Sequence, residues 1–538
     1  MGIASVMSSM KRKIAGLVGQ YRLSDTERAY FNVLKNMSKK HAGPAAPVVL
    51  LQCVEDYYYL GLFALIATQL RQLKSVSIEQ YVVRNLRPGA SESIRNVIRA
   101  FVFVNWFTDG KWVRLYSSFC DRVAFRNVGL FVSLFDIPNA LRAFRLWKSL
   151  DTKHDLLKLH INGISVGDLV YDSYLRFKPA ATVNLKDVYL WIIIWQAYRN
   201  VRVSEKYFIR AKPLLFFASY SSYIQHGIPV RVALNMGIEV FTLGNYQELA
   251  KRLSLQDWFH TRAHEQYQRE WLRLSDKERK IADAEQGLAA RLAGGVDAAT
   301  AYMRASAYAN TGESVPDVHG ALVIFMHDFF DSPHCHQWML FPDFLEWVEH
   351  TIRIAEKYNL KVFWKPHPNQ IAASADVVSA LMIRHPGVKF LSSRITNRQL
   401  VDAGIICALT VYGTVAHEIA YLGVPVIACG DHPHISFDFC FTATTINEYD
   451  RLLQNYARLE FDLNDMRRQC LEFYFMHSLN VSSAEQMLLN AIGRYRTAFY
   501  SDAIPPDAAR FQVLLSAISE QDVFREQVRS CLLLAEPV

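Results

Sequence analysis

The feature that most constrains the fold of this chain is a regular alternation of short apolar segments and helical patterns in its second half. The apolar segments, which we predict to be strands, cover 321–327, 361–366, 388–391, 404–412 and 424–430. The helical patterns between them cover 341–358, 374–385, 396–403 and 413–423. Because helices alternate with the strands, we expect the strands to run parallel, with helices on both faces of the sheet. The alternation predicts an α/β fold with a Rossmann-like sheet.

The first half carries a weaker version of the same pattern. Predicted strands cover 48–55, 214–218 and 238–242, with helices at 57–73 and from Pro229. Residues 90–150 and most residues after 445 are predicted to be helical. A chain of 538 residues exceeds what one hydrophobic core usually serves, so we expect two domains. The predicted organisation is a helical leader (1–45), an N-terminal Rossmann-like domain (46–255), a helical connection (256–315), a C-terminal Rossmann-like domain (316–475) and C-terminal helices (476–538).

Charge and cysteine content restrict the partners and the compartment. The formal net charge of +8 is mild for this length and fits an anionic substrate or a negatively charged membrane surface. The sequence carries no Arg/Gly repeats, zinc-finger spacing or RNA-binding aromatic signature, so we expect no nucleic-acid partner. Its eight cysteines form no CxxC pair, which indicates reduced thiols in a reducing compartment.

No segment predicts secretion or membrane insertion. Residues 1–18 lack the apolar stretch of a signal peptide. The most apolar run, 188–198, is shorter than the roughly 20 residues that a spanning helix needs. Lys11, Arg12 and Lys13 would suit a weak interfacial helix, although we favour a frayed basic terminus. We therefore expect a cytoplasmic protein, with peripheral binding to the inner face of the cytoplasmic membrane left open.

Three polar motifs follow predicted strands of the second half, at the place where open α/β sheets bind their ligands. The first, HDFFDSPHCH, can offer backbone N–H groups and histidines to a phosphate. Its candidate donor-binding residues are His327, Asp328, Ser332 and His334. The same loop holds four residues that would suit a metal ion: Asp328, Asp331, His334 and His336. The sequence shows no clear ligand framework for them, so we predict no metal.

The second motif, Lys365-Pro366-His367-Pro368, ends the predicted strand 361–366. Its two prolines restrict the backbone on both sides of the histidine. His367, and with it Lys365, would then point into the ligand-binding region, where an imidazole suits a phosphate oxygen. A structural turn with an incidental histidine is the alternative. The position at a strand end favours donor binding by Lys365, His367 and Pro368.

The third motif, YGTVAHEIAYLG, opens a predicted helix at Gly413 and Thr414. The N–H groups and dipole of a helix start favour an anion, and glycine lets that anion come close. Glu418 lies about one and a half turns into the helix, where its carboxylate could accept hydrogen bonds from a ribose diol. The alternative for Glu418 is a surface glutamate on an ordinary core helix.

On these motifs, residues 320–435 resemble the nucleotide-binding domain of GT-B glycosyltransferases. HDFFDSPH, KPHP and GTVAHEIAYLGVPVI are similar to motifs of bacterial capsular and surface-polysaccharide glycosyltransferases, and so are GISVGDLVYDSYLR and YIQHGIPVRVALNMG in the first half. The resemblance implies two Rossmann-like domains facing a central cleft. It also implies a nucleotide-sugar donor in the C-terminal domain, an acceptor in the N-terminal one, and catalysis without a metal or other cofactor.

The resemblance also implies roles for single residues. HP motifs in CMP-sugar transferases contact the donor phosphate, which implies that role for His367, with Thr414 as the small hydroxyl residue nearby. Those enzymes often carry Ser-Ser or Ser-Thr where this chain has Gly413-Thr414, so the donor nucleotide stays open between CMP and UDP. The placement of Glu418 resembles UDP-sugar enzymes, including UDP-GlcNAc epimerases, in which a helix glutamate holds the ribose.

An inverting transferase also needs a base for the acceptor hydroxyl, and we expect that base in the N-terminal half. The candidates are Asp168, Asp172 and His226. Each has a structural alternative, since Asp172 has Arg176 at i,i+4 spacing and His226 would also suit an ordinary loop. Arg231 would suit either an acidic ligand or a solvated helix face.

The leading interpretation is therefore a nucleotide-sugar-dependent glycosyltransferase. It would extend a capsular or lipopolysaccharide glycan or a lipid-linked acceptor. The alternatives are a teichoic-acid-type phosphotransferase that uses a CDP-polyol, a nucleotide-sugar epimerase, and a non-catalytic scaffold of polysaccharide assembly. The length and the large aromatic N-terminal half disfavour an epimerase, and three intact strand-end motifs disfavour a scaffold.

Overall fold

The computed structural model describes residues 22–38, 46–83, 110–127, 136–243, 248–262, 264–295, 308, 312–368 and 370–535. Their contacts form two compact units. The first unit contains the described residues up to Lys178, Asn184–His260 and those from Ser482 onward. The second contains Pro179–Val183 and those of Thr261–Val481. The basic segment Lys11–Lys13, predicted to be a frayed terminus or an interfacial helix, lies outside the described residues.

The first unit is built on a six-stranded sheet and a small separate hairpin. Its strands are β1 (Val48–Gln52), β2 (Ser77–Val83), β3 (Arg122–Asn127), β4 (His160–Ile161), β5 (Ile164–Ser165), β6 (Leu215–Ala218), β7 (Glu239–Leu243) and β8 (Ala250–Arg252). The sheet order is β3-β2-β1-β6-β7-β8, and only β7 and β8 are antiparallel neighbours. β4 and β5 form the hairpin.

Helices cover this sheet. They are α1 (Asp25–Met37), α2 (Tyr57–Leu73), α3 (Gly110–Tyr116), α4 (Ile137–Lys148), α5 (Lys153–Leu157), α6 (Gly167–Phe177), α7 (Val188–Ala211) and α8 (Ile228–Asn235), with a π-helical turn at Tyr223–Gly227. The apolar run 188–198 forms the first half of α7, and the second half of that helix carries the charged residues Arg202, Glu205, Lys206 and Arg210. None of the described helices combines the length and apolar character that crossing a membrane requires.

The second unit contains a six-stranded sheet in which all neighbours are parallel. Its strands are β9 (Leu322–Phe325), β10 (Val362–Lys365), β11 (Lys389–Phe390), β12 (Cys407–Leu409), β13 (Val426–Ala428) and β14 (Cys440–Thr442), in the order β11-β10-β9-β12-β13-β14. Its helices are α9 (Tyr267–Arg273), α10 (Lys277–Leu292), α11 (Phe344–Lys357), α12 (Ala372–Arg384), α13 (Asn397–Asp402), α14 (Val415–Tyr421), α15 (Ile446–Gln454) and α16 (Leu463–Tyr474). Short turns of helix follow at Tyr456–Arg458 and Phe475–Leu479.

The predicted α/β class with two Rossmann-like units is confirmed. Every strand predicted from the alternation forms, although most are shorter than their apolar segments. Local signals placed the helix boundaries well. The Thr396 side chain caps α13 in a capping box with Gln399, as an N-cap threonine should.

The structure also differs from the sequence prediction in several places. β3 lies inside the region predicted to be helical, 90–150, and the sequence did not predict the strands β2, β4, β5, β8 and β14. Within the predicted connection 256–315, α9 and α10 belong to the second unit. The C-terminal helices α17 (Ser483–Tyr500), α18 (Ala508–Ser519) and α19 (Asp522–Ala535) pack in the first unit, where the Tyr495 hydroxyl donates to the Tyr57 carbonyl at 2.7 Å.

The strand order of the second unit identifies its ligand-binding edge. The chain runs outward from β9 to β10 and β11, then returns to the other side of β9 as β12 and continues to β13. The carboxyl ends of β9 and β12 therefore flank the point at which the strand order reverses, where open α/β sheets bind ligands. The same reversal in the first unit lies between β1 and β6, where Gln52 Oε1 accepts hydrogen bonds from the Ser219 N–H and hydroxyl at 2.7 and 2.9 Å.

Candidate functional site

The carboxyl edge of the second sheet brings the first and the third polar motifs together. His327 follows β9, and its Nε2 shares a hydrogen bond of 3.1 Å with the hydroxyl of Thr410, which follows β12. The Gly413 N–H donates to the same hydroxyl at 3.3 Å. A Cβ at Gly413 would lie only 2.8 Å from that hydroxyl oxygen, so the close approach requires glycine. One threonine thus ties together the two loops that flank the reversal.

Lys365 is the most unusual side chain at this edge. It ends β10 and is only 2% exposed, and its Nζ lies 5.9 Å from the centre of the Phe325 ring. Within the described part of the chain, its ammonium group has no hydrogen bond or ion pair. Burial lowers the pKa of Lys365 to about 8, against the opposing charge of Glu418. A buried ammonium without a hydrogen bond or ion pair among the described residues is an unusual arrangement, and it suits a site for an anion.

Two histidines share this environment. Burial, together with the positive charges of His367 and His336, lowers the pKa of His327 to about 3. The His327 ring stacks on Phe344 with ring centres 4.6 Å apart. Burial and the charge of Lys365 also lower the pKa of His367, and Asp328 opposes them. A positive charge on any one of these side chains lowers the pKa of its neighbours. A bound anion would raise those pKa values again.

The other predicted donor-binding residues of the first two motifs lie in the same loops. The carboxylate of Asp328 already accepts hydrogen bonds from the Ile371 N–H and the Ser374 hydroxyl, both at 2.9 Å. It therefore fixes the start of α12, which is a structural role. The carbonyl of Ser332 accepts from the Tyr412 hydroxyl at 3.3 Å. His334 and Pro368 are half-buried.

The third motif is arranged differently from the prediction. Helix α14 has only seven residues, and the side chain of its N-cap, Thr414, accepts no capping hydrogen bond. A short helix presents a weak dipole, so the predicted anion site at Gly413-Thr414 loses much of its support. The Thr414 hydroxyl instead accepts from Arg291 of α10 at 3.4 Å.

Glu418 is neither a surface residue nor an open hydrogen-bond acceptor. It is 4% exposed, and Oε1 forms an ion pair of 2.5 Å with Arg291, which is also buried. Its Oε2 accepts from the Tyr308 hydroxyl at 2.8 Å. Both carboxylate oxygens are thus engaged by protein donors. The structure therefore places Glu418 in a buried ion pair instead of the open position that a ribose-binding glutamate needs.

One of the three candidate bases of the first unit is committed to an ion pair. Both carboxylate oxygens of Asp168 accept from the guanidinium of Arg231, with a distance of 2.7 Å for the longer bond. Arg231 also donates to the Ser165 carbonyl at 2.9 Å and lies over the ring of Trp258. This guanidinium is buried, so Arg231 is neither the anion ligand nor the solvated residue that the sequence predicted.

The other two candidate bases lie on elements that contact each other. Asp172 is buried on α6, and His226 is half-buried in the π-helical turn before α8. The Ile224 N–H donates to the hydroxyl of Ser173 at 2.9 Å, which holds the turn against α6. Both candidates therefore remain compatible with a role in one site of the first unit.

Several residues of these regions were not predicted from the sequence. Thr410 was assigned to the interior of the predicted strand 404–412. It is, however, the first polar residue after the apolar run, and that position could have identified it. His260 lies in the region assigned to the connection, yet its backbone N–H donates to the Ser221 hydroxyl in the first unit at 2.8 Å. Burial lowers the pKa of His260 to about 4, and the charge of Lys251 adds to the effect.

Comparison with known proteins finds a likeness to solved structures at very low sequence identity. No protein family model matches the chain, and no curated protein matches it. Among solved structures, the Methanocaldococcus jannaschii UDP-GlcNAc 2-epimerase in complex with UDP-GlcNAc and UDP is 9% identical, with a TM-score of 0.25, over 78% of this chain and 97% of that one. The Neisseria meningitidis UDP-GlcNAc 2-epimerase bound to UDP-GlcNAc is 8% identical, with a TM-score of 0.18, over 88% and 99%. Scores this low support no conclusion about activity or substrate.

Proposed function

We propose that this protein is a nucleotide-sugar-dependent glycosyltransferase whose donor phosphate binds at the carboxyl edge of the second sheet. The observation that carries the proposal is the buried ammonium of Lys365, which has no hydrogen bond or ion pair among the described residues and lies next to the point of strand-order reversal. His327 and His367 would complete the site. The acceptor would be a growing surface glycan or a lipid-linked sugar, as the sequence motifs imply.

These groups suit the chemistry of glycosyl transfer. The acceptor oxygen forms a bond to the anomeric carbon, the bond between that carbon and the phosphate oxygen breaks, and the leaving nucleotide gains negative charge. Lys365 would stabilise that charge from a site with little water, where electrostatic effects are strong. The acceptor hydroxyl must lose its proton to a base. Because Asp168 is committed to Arg231, we favour Asp172 or His226 for that step.

A panel of nucleotides tests the binding half of the proposal. We expect one of UDP, CMP, CDP and GDP to raise the melting temperature of the full-length protein by several degrees. A ligand at 100 times its dissociation constant stabilises the native state by about 2.7 kcal/mol. UDP or CMP would support a sugar donor, and CDP would favour the polyol-phosphate alternative. Absence of any shift in a folded protein would move support to the scaffold alternative.

The pH dependence of that stabilisation is a second readout. With a pKa of about 8, Lys365 is mostly protonated at pH 7 and mostly neutral at pH 9.5 in the protein without ligand. The nucleotide that stabilises the protein should therefore bind more weakly at pH 9.5.

Release of sugar isomers in the absence of an acceptor would favour an epimerase over a transferase.

Substitution of His367 tests its proposed role as a ligand of the donor phosphate. His367→Asn should weaken binding of the stabilising nucleotide and reduce transfer by roughly 100-fold, the typical effect of removing one donor to a developing anion. His385→Asn is the matched control, because His385 is a half-buried histidine of the same unit whose neighbour is Glu356, 3.7 Å away. Equal activity of the two variants would remove His367 from the site.

A further inference from the structure

Three residues that are far apart in the sequence meet in the second unit, close to the loop that follows β9. They are His264, His336 and Asp431, and one ligand atom of each lies within 4.8 Å of the others. His264 and Asp431 are buried, and His336 is half-buried. Two imidazoles and one carboxylate that converge in this way form a donor set typical of zinc and related divalent metals.

The hydrogen bonds of His264 support this interpretation. Its Nδ1 lies 2.9 Å from the Arg262 carbonyl, so the proton must be on Nδ1 for this contact to be favourable. In the neutral ring, Nε2 then directs a lone pair at Asp431 Oδ1, which is 3.1 Å away. Two lone pairs at this distance repel each other unless a second proton or a metal ion lies beside them. A ligand histidine with its other N–H on a backbone carbonyl is the usual arrangement at metal sites.

Backbone hydrogen bonds hold the segment that carries Asp431 against the segment that carries His336. Asp431 N–H donates to the Trp338 carbonyl at 2.8 Å, and Asp431 Oδ2 accepts from the Gln337 N–H at 3.1 Å. Met339 and Gly430 form an antiparallel bridge directly beyond these bonds. The loop after β9, which carries His336, is therefore fixed against the segment that carries Asp431. Such a site needs little rearrangement to bind an ion.

We propose that His264, His336 and Asp431 bind one divalent transition-metal ion of the zinc class. Ligands at about 2.0–2.2 Å from a tetrahedral ion lie roughly 3.3 Å from each other. The observed 3.1 Å between His264 Nε2 and Asp431 Oδ1 fits that edge. Three protein ligands leave a fourth position for water or a substrate oxygen, as in catalytic zinc sites.

The site is a neighbour of the phosphate site proposed above, but its existence does not depend on that proposal. The Tyr412 ring lies between them, with its centre 4.8 Å from the ring of His327 and 4.8 Å from that of His336. The sequence pointed to His336 as a metal ligand only together with Asp328, Asp331 and His334. The structure instead joins it to partners from two distant segments.

Zinc titration of the chelator-treated, full-length protein tests the site. We expect one ion to bind tightly, and His336→Ala to weaken that binding by more than roughly 100-fold, since even residues behind the ligands contribute 10–100-fold. Asp431→Asn should have a similar effect, and Co²⁺ should give a tetrahedral absorption spectrum with the wild type but with neither of these two variants. Circular dichroism would verify that each variant is folded.

His350→Ala is the matched control. His350 Nε2 lies 2.7 Å from Asp450 Oδ1, and no third metal ligand joins this pair within the described part of the chain. Its zinc affinity should equal that of the wild type. Absence of a tight zinc ion, or equal affinity in His336→Ala and His350→Ala, would overturn the proposal and leave His264 and Asp431 as a simple ion pair. If Asp431→Asn fails to fold, His336→Ala decides the outcome alone.

Discussion

Replacement of Lys365 by methionine is expected to stabilise the fold and to abolish nucleotide binding. Methionine fills a similar volume without a charge, so the desolvation cost of the buried ammonium disappears. A pKa lowered from 10.5 to about 8 corresponds to a gain of about 3 kcal/mol in the free energy of unfolding at pH 7. Urea denaturation measures the change in stability, and the shift in melting temperature caused by nucleotide measures binding. Both are measured on the same protein. Opposite signs for stability and binding are typical of a functional residue.

The pH dependence of this stability difference has a defined sign. Between pH 8 and 10.5 the unfolded wild type holds a proton on Lys365 that the folded protein has lost. The wild type therefore gains stability relative to Lys365→Met as the pH rises through this range. The difference should be largest below pH 8 and should disappear above about 10.5.

Lys389→Met is the control for this experiment. Lys389 lies on the adjacent strand β11 with its Nζ 5.4 Å from the centre of the Phe363 ring, but it is exposed. Its replacement should change stability by less than about 0.5 kcal/mol and leave nucleotide binding intact. A Lys365→Met protein that is less stable than the wild type but binds nucleotide normally would refute the anion-site interpretation.

Glu418→Met is expected to destabilise the protein by about 3–5 kcal/mol, because it leaves the guanidinium of Arg291 buried without its carboxylate partner. The double variant with Arg291→Met should recover most of this loss, since replacement of both members of a buried ion pair by apolar groups is often neutral. Urea denaturation of the wild type, both single variants and the double variant gives the coupling energy between the two residues.

The exposed ion pair between Glu349 and Arg384 serves as the reference for this comparison of single and double variants. Loss of such a pair in Glu349→Met should cost no more than about 1 kcal/mol. The alternative outcome is also informative. If Glu418→Met kept its stability and weakened only the binding of nucleotide, the ribose role predicted from the sequence would be correct after all.

The elements that depend on local order could be predicted from the sequence. The strands β9 and β10 and the helix α2 follow from apolar runs and their spacing, and the cap at Thr396 follows from the chemistry of helix ends. Polar residues at the carboxyl ends of parallel strands share one edge of the sheet. For this reason the order of residues along the chain was enough to place His327 and Lys365 at the same edge.

Which charges are neutralised depends on contacts between distant segments. Asp168 and Arg231 are 63 residues apart, and Arg291 and Glu418 lie on helices that only the fold brings into contact. A motif shows that a carboxylate is present but not whether a distant guanidinium already occupies it. The sequence therefore offered Asp168 as a base and Glu418 as a ribose ligand, whereas both are found in ion pairs.

The same reasoning explains the proposed metal site. His264, His336 and Asp431 lie in three segments whose proximity depends on the strand order of the second sheet and on the bridge between Met339 and Gly430. Local spacing fixes which residues share a strand end or a helix face, since those distances depend on a few neighbouring backbone angles. Distances between loops depend on the packing of the whole unit, so only the folded chain could bring these ligands together.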